Sequence, residues 1–450
     1  MAKKKQIELS IEEKLQNALV PKEEQPYKIP SNWCWLYSNF VVDVRDGTHD
    51  TPKYISEGYP LITSKNLKNN NIDFDKVNYI SKEDYEKINL RSKVDIGDVL
   101  FSMIGTIGNP VLIKGKTNYA IKNVALFKDI NLINMTFFRF YLETKFVIDK
   151  MKKEAKGSTQ KFVSLKYLRN FPICYPSLEE QQRIVNRIEF LFAKLDRAKE
   201  LIENTLAQFE QNKMAILHKA FTGELTAKWR KENNIDLSSW EKIKLGKVLL
   251  PMQTKKPTGQ FFRYIDIDAI DNKRQIVKAP KLILTEKAPS RASRGVETGN
   301  ILFSMVRPYL KNIAQIDSDL SDCIASTGFY VCRCKPELNS RFLYYLFIFD
   351  KTIDYLMQFM KGDNSPSIRK DDLLNMKIDL PTIEEQQEIV NILDNLLAKY
   401  NKIKNLEQQL EKIELLKKAI LAKAFRGELG TNNPDEESAE NLLKEILAEK

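Results

Sequence analysis

One segment of this sequence occurs twice. Pro176-Ser-Leu-Glu-Glu-Gln-Gln-Arg-Ile-Val-Asn186 returns as Pro381-Thr-Ile-Glu-Glu-Gln-Gln-Glu-Ile-Val-Asn391, 205 residues later. Lys219-Ala-Phe-Thr-Gly-Glu-Leu225 returns as Lys423-Ala-Phe-Arg-Gly-Glu-Leu429 at a spacing of 204. Weaker echoes join Gly97-Asp-Val-Leu-Phe-Ser-Met103 to Gly299-Asn-Ile-Leu-Phe-Ser-Met305, and Gly157 and Leu168 to Gly362 and Leu373. The whole unit is therefore duplicated. A period near 200 residues exceeds the roughly 20–50 residues of a solenoid repeat and marks a tandem domain duplication.

The stretch joining the two strong motifs reads as helix in both copies. From Glu179 to Phe221 there is neither glycine nor proline. Seam residues recur at Ile184, Ile188, Leu191, Leu195, Ala198, Ile202, Thr205, Phe209 and Ile216, in alternating steps of four and three as far as Phe209, which make a heptad seam. Ser177 and the Glu179-Glu180 pair suit a helix start, and Gly223 a stop. Such a helix is about 65 Å long. The second copy, Glu384 to Phe425, carries Ile389, Leu393, Leu396, Tyr400, Ile403, Leu406, Leu410, Ile413, Leu416 and Ile420, with Thr382 as N-cap and Gly427 as stop. Successive three-residue steps through Tyr400, Ile403 and Leu406 place the lost residue there and predict a local distortion of the supercoil. Each narrow stripe needs a partner. The simplest is the other helix, as an antiparallel intramolecular pair; packing on the helix's own domain, or across a homodimer, is the alternative.

The expected fold class is α+β. Two strand-rich domains alternate with two long helices that pair as an antiparallel coiled coil, in a pseudo-twofold internal duplication. The expected organisation is an N-terminal helical segment (1–26), a first domain (27–175), a first long helix (176–226), a linker (227–238), a second domain (239–380), a second long helix (381–429) and an acidic, amphipathic tail (430–450). Gly97 and Gly299 turns should open strands, Tyr264 to Asp268 should alternate as a strand, and helices are expected over Thr136–Met151 and Ser340–Met360.

The chain has 450 residues, enough for two cores, and a net charge of +11 on a 43% hydrophobic composition. A basic, folded, two-domain chain suits a polyanion. Five cysteines without a paired spacing, and no signal-like apolar run after the basic N-terminus, fit a reducing cytoplasm. Two histidines far apart argue against a metal site, and no run of about 18 apolar residues suggests a membrane span.

Candidate DNA-contacting residues are basic, amide and hydroxyl groups on polar loops, because Arg reads guanine, Asn and Gln read adenine, and Ser or Thr bonds phosphate. In the first domain these are Thr63, Ser64, Lys65, Asn66, Lys114, Lys116, Ser158, Thr159, Gln160 and Lys161. In the second they are Lys255, Lys256, Arg291, Arg294, Arg307, Ser326, Thr327, Asn364, Arg369 and Lys370. The two sets differ, so the domains should prefer different base sequences. Catalytic signatures fail: Gly115-Lys-Thr117 lacks the first P-loop glycine, position 110 being Pro110, and Asn109-Pro110 lacks the rest of an amino-methyltransferase motif. Asp266 and Asp268 lack nuclease partners and are expected to cap a sheet face or balance Arg263. No catalytic residue, metal or cofactor is expected in this chain.

The paired Pro-x-x-Glu-Glu-Gln-Gln-x-Ile-Val segments, each followed by Ala-Phe-x-Gly-Glu-Leu, resemble the specificity subunits of type I restriction-modification systems. Ile29-Pro-Ser-Asn-Trp33, Ser239-Trp240, Gly58-Tyr-Pro-Leu-Ile-Thr-Ser-Lys-Asn-Leu67 and Ser326-Thr-Gly-Phe329 are similar to segments of that family. The resemblance implies two target recognition domains, each reading one half of a bipartite double-stranded DNA site, and paired helices acting as a spacer. It implies two methyltransferase subunits using S-adenosylmethionine for adenine N6 methylation, and two restriction-translocase subunits using ATP and Mg, with no catalysis in this chain. The competing expectations are a coiled-coil scaffold that binds no DNA and an autonomous modification enzyme.

Overall fold

Glycines at Gly97 and Gly299 adopt positive φ (+96° and +85°) and turn the chain into the strands Val99–Ser102 and Ile301–Ser304. Around these strands the same sheet is built twice in the computed structural model, which describes residues 10–158, 160–398 and 403–449. The first is ordered Val42–Asp46, Val124–Asp129, Val99–Ser102, Gly108–Leu112; the second Leu249–Leu250, Phe329–Cys334, Ile301–Ser304, Ile313–Gln315. All neighbours are antiparallel. Beside each lies a second sheet, of three strands in the first unit and four in the second, with one parallel pairing, Tyr59–Ile62 with Ala120–Ile121 and Phe261–Ile265 with Ile324–Ser326. The strand before each long helix, Pro172–Tyr175 or Lys377–Leu380, pairs antiparallel with the strand that opens its domain, Cys34–Tyr37 or Glu241–Lys244.

The chain divides into two compact units, Met1–Leu201 with Gln408–Lys450, and Ile202–Glu407. Each unit therefore holds one domain, the start of one long helix and the end of the other. The first helix is continuous from Leu178 to Phe221, 44 residues. The second is described as Ile383–Ala398 and Ile403–Ala424. Tyr400 lies outside the described residues.

In the first unit the helices run antiparallel. Asp196 pairs with Lys417 and Lys199 with Glu414 at 3.3 Å, so three residues forward on one helix is three back on the other. Ile184 and Ile188 are fully buried with Leu421, Ala424 and Phe425, and Phe425 packs on Phe137 and Tyr141 of the domain. In the second unit Leu217 and Ala220 share a core with Ile389 and Leu393. Away from the domains the seam thins: Leu191, Leu195, Ile202, Phe209, Leu396 and Leu410 are half-buried, while Ile413 is buried. Leu416 departs from the expected seam and is 49% exposed. Its place goes to Lys417, half-buried, whose ammonium reaches Asp196, because the apolar rows that follow are Ile420 with Leu421 and then Ala424.

Three further expectations change. The helix over Thr136–Met151 is two, Met135–Glu143 and Lys145–Glu154, because Thr144 is extended (ψ 144°) and caps the second by accepting from Val147 N–H. Its counterpart breaks the same way at Phe349 (ψ 127°), into Ser340–Ile348 and Asp350–Met357. The alternating strand through Asp268 stops at Ile265: Asp266 accepts from Ala269 N–H at 3.1 Å and caps a turn, and Tyr264 and Ile265 are both buried. Asp266 pairs with Lys281 rather than with Arg263, which holds Asp322.

The duplicated motifs meet each other. Gln181 and Gln386 are buried; each donates to the proline carbonyl that precedes its helix, Pro176 or Pro381, at 2.9 Å. Each also accepts from the backbone N–H of the residue that caps Met135–Glu143 or Ser340–Ile348, Asn134 or Asn339, at 2.8 Å. The neighbouring Glu180 and Glu385 are 1% and 0% exposed. Glu180 accepts the hydroxyl of Thr431, beyond the end of the second helix, at 2.6 Å; Glu385 accepts that of Thr226, beyond the end of the first, at 2.6 Å. Gly223 and Gly427, both at positive φ, let these exits turn where a side chain would collide with Leu237 or Pro30.

Candidate nucleic-acid interface

In the second unit, backbone hydrogen bonds gather the polar loops onto one end of the sheets. Ala292–Gly295 pairs with Ile324–Ser326, and Thr254 bridges to Arg294. Lys255 N–H donates to Ser293 O (3.1 Å) and Thr327 N–H to Arg291 O (2.9 Å). Met305 N–H donates to Gly328 O (2.9 Å), which brings the loop after Ile301–Ser304 to the same rim. Arg307 then bonds the loop 361–367, N–H to Pro366 O and Nη2 to Asn364 O, both at 2.8 Å. Lys255, Lys256, Arg291, Arg307, Thr327, Asn364, Arg369 and Lys370 are exposed there and Arg294 is half-buried. Ser326 is not: it is 4% exposed and its hydroxyl accepts from Gly328 N–H.

Charge pairing separates the arginines among these residues from the other arginines of the unit. Its nine arginines are Arg230, Arg263, Arg274, Arg291, Arg294, Arg307, Arg333, Arg341 and Arg369. Five hold carboxylates: Glu385, Asp322, Asp271 with Glu407, Glu297 and Asp394 respectively. The four that hold none among the described residues, Arg291, Arg294, Arg307 and Arg369, are the four singled out by the sequence. Unneutralised guanidinium groups on one rim make a positive field suited to phosphate and to guanine edges.

The first unit builds the corresponding rim with different chemistry. Lys156 and Phe162 exchange backbone hydrogen bonds at 2.9 Å and close a loop holding Gly157, Ser158, Gln160 and Lys161; Lys361 and Ser367 close its counterpart at 3.0 Å. Thr159 lies outside the described residues. Gly105 N–H donates to Lys161 O (2.8 Å) as Arg307 N–H does to Pro366 O. Both positions are left-handed, φ +75° for Gly105 and +49° for Arg307. A Cβ on Gly105 would stand 3.1 Å from the Gln160 amide, so Gln160 occupies the space beside Gly105. An arginine in left-handed backbone carries strain of order 1 kcal/mol that glycine avoids, and such strain concentrates at functional positions.

Not every first-domain candidate joins this rim. Ser64 donates to Asn123 O at 3.3 Å and Lys65 is exposed beside it. Thr63 and Asn66 hold the loop together: Asn66 is 5% exposed, accepts from Thr63 N–H and donates to Asp73 O and Lys76 O. Lys114 and Lys116 follow Gly108–Leu112, whose far end pairs with Val99, so they sit a strand length, about 13 Å, away. Three residues that sequence reasoning passed over are on the rim. His49 lies between Asp46 and Asn123, with each ring nitrogen 2.9 Å from its partner oxygen, and Lys122 donates to Thr51. Gly47, whose Cβ would strike Ile121 O, was the available signal for this turn.

Among the described residues no His, Cys, Asp or Glu group could hold a metal ion, and no helix is long and apolar enough to cross a membrane.

Comparison with known proteins matches the family model for the type I restriction modification DNA specificity domain twice, over residues 47–210 and 240–415. The chain is 27% identical over 335 residues to the EcoDI type I restriction enzyme specificity subunit of Escherichia coli, covering 67% of this chain and 74% of that one. It is 24% identical over 457 residues to the StySPI specificity subunit of Salmonella potsdam, covering 94% and 96%. A solved chain from a study of type I R-M complex assembly and conformational transition superposes with a TM-score of 0.67 at 20% identity, over 90% of this chain and all of that one. The HsdS subunit from Thermoanaerobacter tengcongensis gives a TM-score of 0.50 at 20% identity, over 90% and 99%.

Proposed function

The chain belongs to the type I restriction modification DNA specificity family, and on that premise we propose that each of its two rims reads one half of a bipartite double-stranded DNA site. It is the DNA-specificity subunit of a type I restriction-modification complex, a non-catalytic member that works with DNA and with modification and restriction subunits. Two methyltransferase subunits and two restriction-translocase subunits complete the assembly in this reading. S-adenosylmethionine, ATP and Mg belong to those partners, the modified base is adenine at N6, and the site of action is the cytoplasm.

The observation that carries the reading is the segregation of arginines in the second unit: those without a carboxylate among the described residues share one rim. A scaffold that bound only proteins would have no use for it. The two rims also differ at their matched position, Gly105 with Gln160 against Arg307, as expected of two readers of different sequence. Gln suits the adenine edge and Arg the guanine edge.

Methylome mapping of cells carrying the partner methyltransferase, with and without this chain, tests the proposal. Adenine methylation at one split motif, present only with the chain, is the expected result; methylation unchanged by its removal overturns it.

A further inference from the structure

The two joints between helix starts and helix exits keep their arginine in different places. In the first unit it comes from the helix start: Arg183 donates Nε to Glu180 at 2.8 Å and Nη2 to Glu436 of the exit at 2.6 Å. In the second unit the position matching Arg183 is Glu388. There the arginine comes from the exit: Arg230, 6% exposed, donates to Glu385 and to Gly223 O. Each buried carboxylate thus receives one arginine and one threonine hydroxyl, and Glu385 also the indole N–H of Trp240 at 2.9 Å, although the arginines stand on opposite sides of their joints.

Docking each start on the exit of its own helix, as two copies exchanging segments could do, breaks this balance. Glu180 would face Arg183 and Arg230 together. Glu385 would face no arginine, with Glu388 and Glu436 brought to the same joint. A buried carboxylate without a cation, and two guanidinium groups competing for one acceptor, are both strongly unfavourable. The threonine and glycine features common to both exits do not distinguish the two pairings.

We propose that arginine placement is an address: each helix start accepts the exit of the other helix and rejects the exit of its own. Dimers that pair each start with the same helix's exit from a second copy are therefore disfavoured. The attractive element is the single arginine per glutamate, and the repulsive element is the doubled or missing one.

The test uses the full-length chain. Arg230→Ala removes the cation from Glu385 and should lower the melting temperature by about 5–10 °C. Adding Glu388→Arg places an arginine where the first unit has Arg183 and should recover most of that loss. The double variant also erases the address, since both starts then carry arginine and neither exit offers one to the joint glutamate. Refolded at high concentration, it should yield exit-exchanged dimers by light scattering, whereas the native chain returns as monomer. No loss in Arg230→Ala, no recovery on adding Glu388→Arg, or the same dimer fraction from native and double-variant chains would each overturn the proposal.

Discussion

Thr226 donates its hydroxyl to the buried carboxylate of Glu385 across 2.6 Å, although 159 residues separate them. Thr431 makes the same bond to Glu180. These bonds explain why two segments of the sequence, and not only one, are doubled with their spacing kept: each copy of one motif is the receptor for the opposite copy of the other. Thr226→Ala leaves a buried carboxylate one donor short and should cost about 1–3 kcal/mol. Thr226→Ser should restore most of it. Thermal denaturation of the three chains distinguishes loss of the hydroxyl from loss of the methyl.

Arg307 gives an outcome of opposite signs. Arg307→Gly removes left-handed strain and should raise stability by about 0.5–1 kcal/mol. The same change should weaken binding to the cognate duplex by about 1–3 kcal/mol and relax preference at a base of one half-site. Melting temperature and fluorescence anisotropy, measured on one preparation, read both signs. A variant less stable yet unaltered in binding would contradict the role assigned to this residue.

Paired and unpaired arginines should separate in their salt dependence. Arg291→Ala should reduce the slope of log affinity against log salt by about 1, as loss of a phosphate contact does. Arg263→Ala, which removes a guanidinium committed to Asp322, should leave the slope unchanged. Titrations at four or five salt concentrations decide it.

Cys34 should leave a mark on alkaline stability. Burial, aided by the charge of Glu440, pushes its thiol up to about 12 from an ordinary value of 9.0. A pKa raised in the fold favours the neutral thiol. Its contribution is complete below the unfolded value and disappears as pH climbs from about 9 through about 12. The native chain should therefore lose stability faster over that window than Cys34→Ala, and denaturant midpoints at successive pH values give the difference. A thiol reagent at pH 8 should label Cys34 only after unfolding.

How much of this was legible depended on range. Helix limits, strand starts and the glycine stops follow from residues within one turn of each other, and Gly97, Gly223, Ser177 and Thr382 announce them. The breaks at Thr144 and Phe349 escaped because the apolar pattern runs through both, and only the backbone at one residue departs. Leu416 looked like seam because spacing ranks any leucine above a lysine; the long lysine stem of Lys417 fits the half-buried row while its charge meets Asp196. On the rims, the unpaired arginines were readable as residue types, but their lack of carboxylates is a three-dimensional fact. Asn66 and Ser326 have the right chemistry for DNA and spend it on their own loops. Lys114 and Lys116 lie away from the rim, since strand pairing decides which end of a sheet a loop joins. His49 and Asn123 were missed because a contact across 74 residues leaves no local pattern.

The division of the chain also sets the order in which it can be completed at the ribosome. The second unit is one unbroken stretch, Ile202–Glu407, and has all its parts once that stretch has emerged. The first begins earlier yet finishes later, because its core needs Leu421, Ala424 and Phe425, and its opening residues need the tail: Trp33 donates to Asn432 and Ala439 N–H to Asn32 O, each at 2.9 Å. The first domain to be synthesised is thus the last to be closed, and Ile184 and Ile188 lack the cover of Leu421, Ala424 and Phe425 while the second folds. A stalled or shortened product would keep a finished second unit attached to an open first one, giving quality control an apolar helix face by which to recognise an incomplete reader.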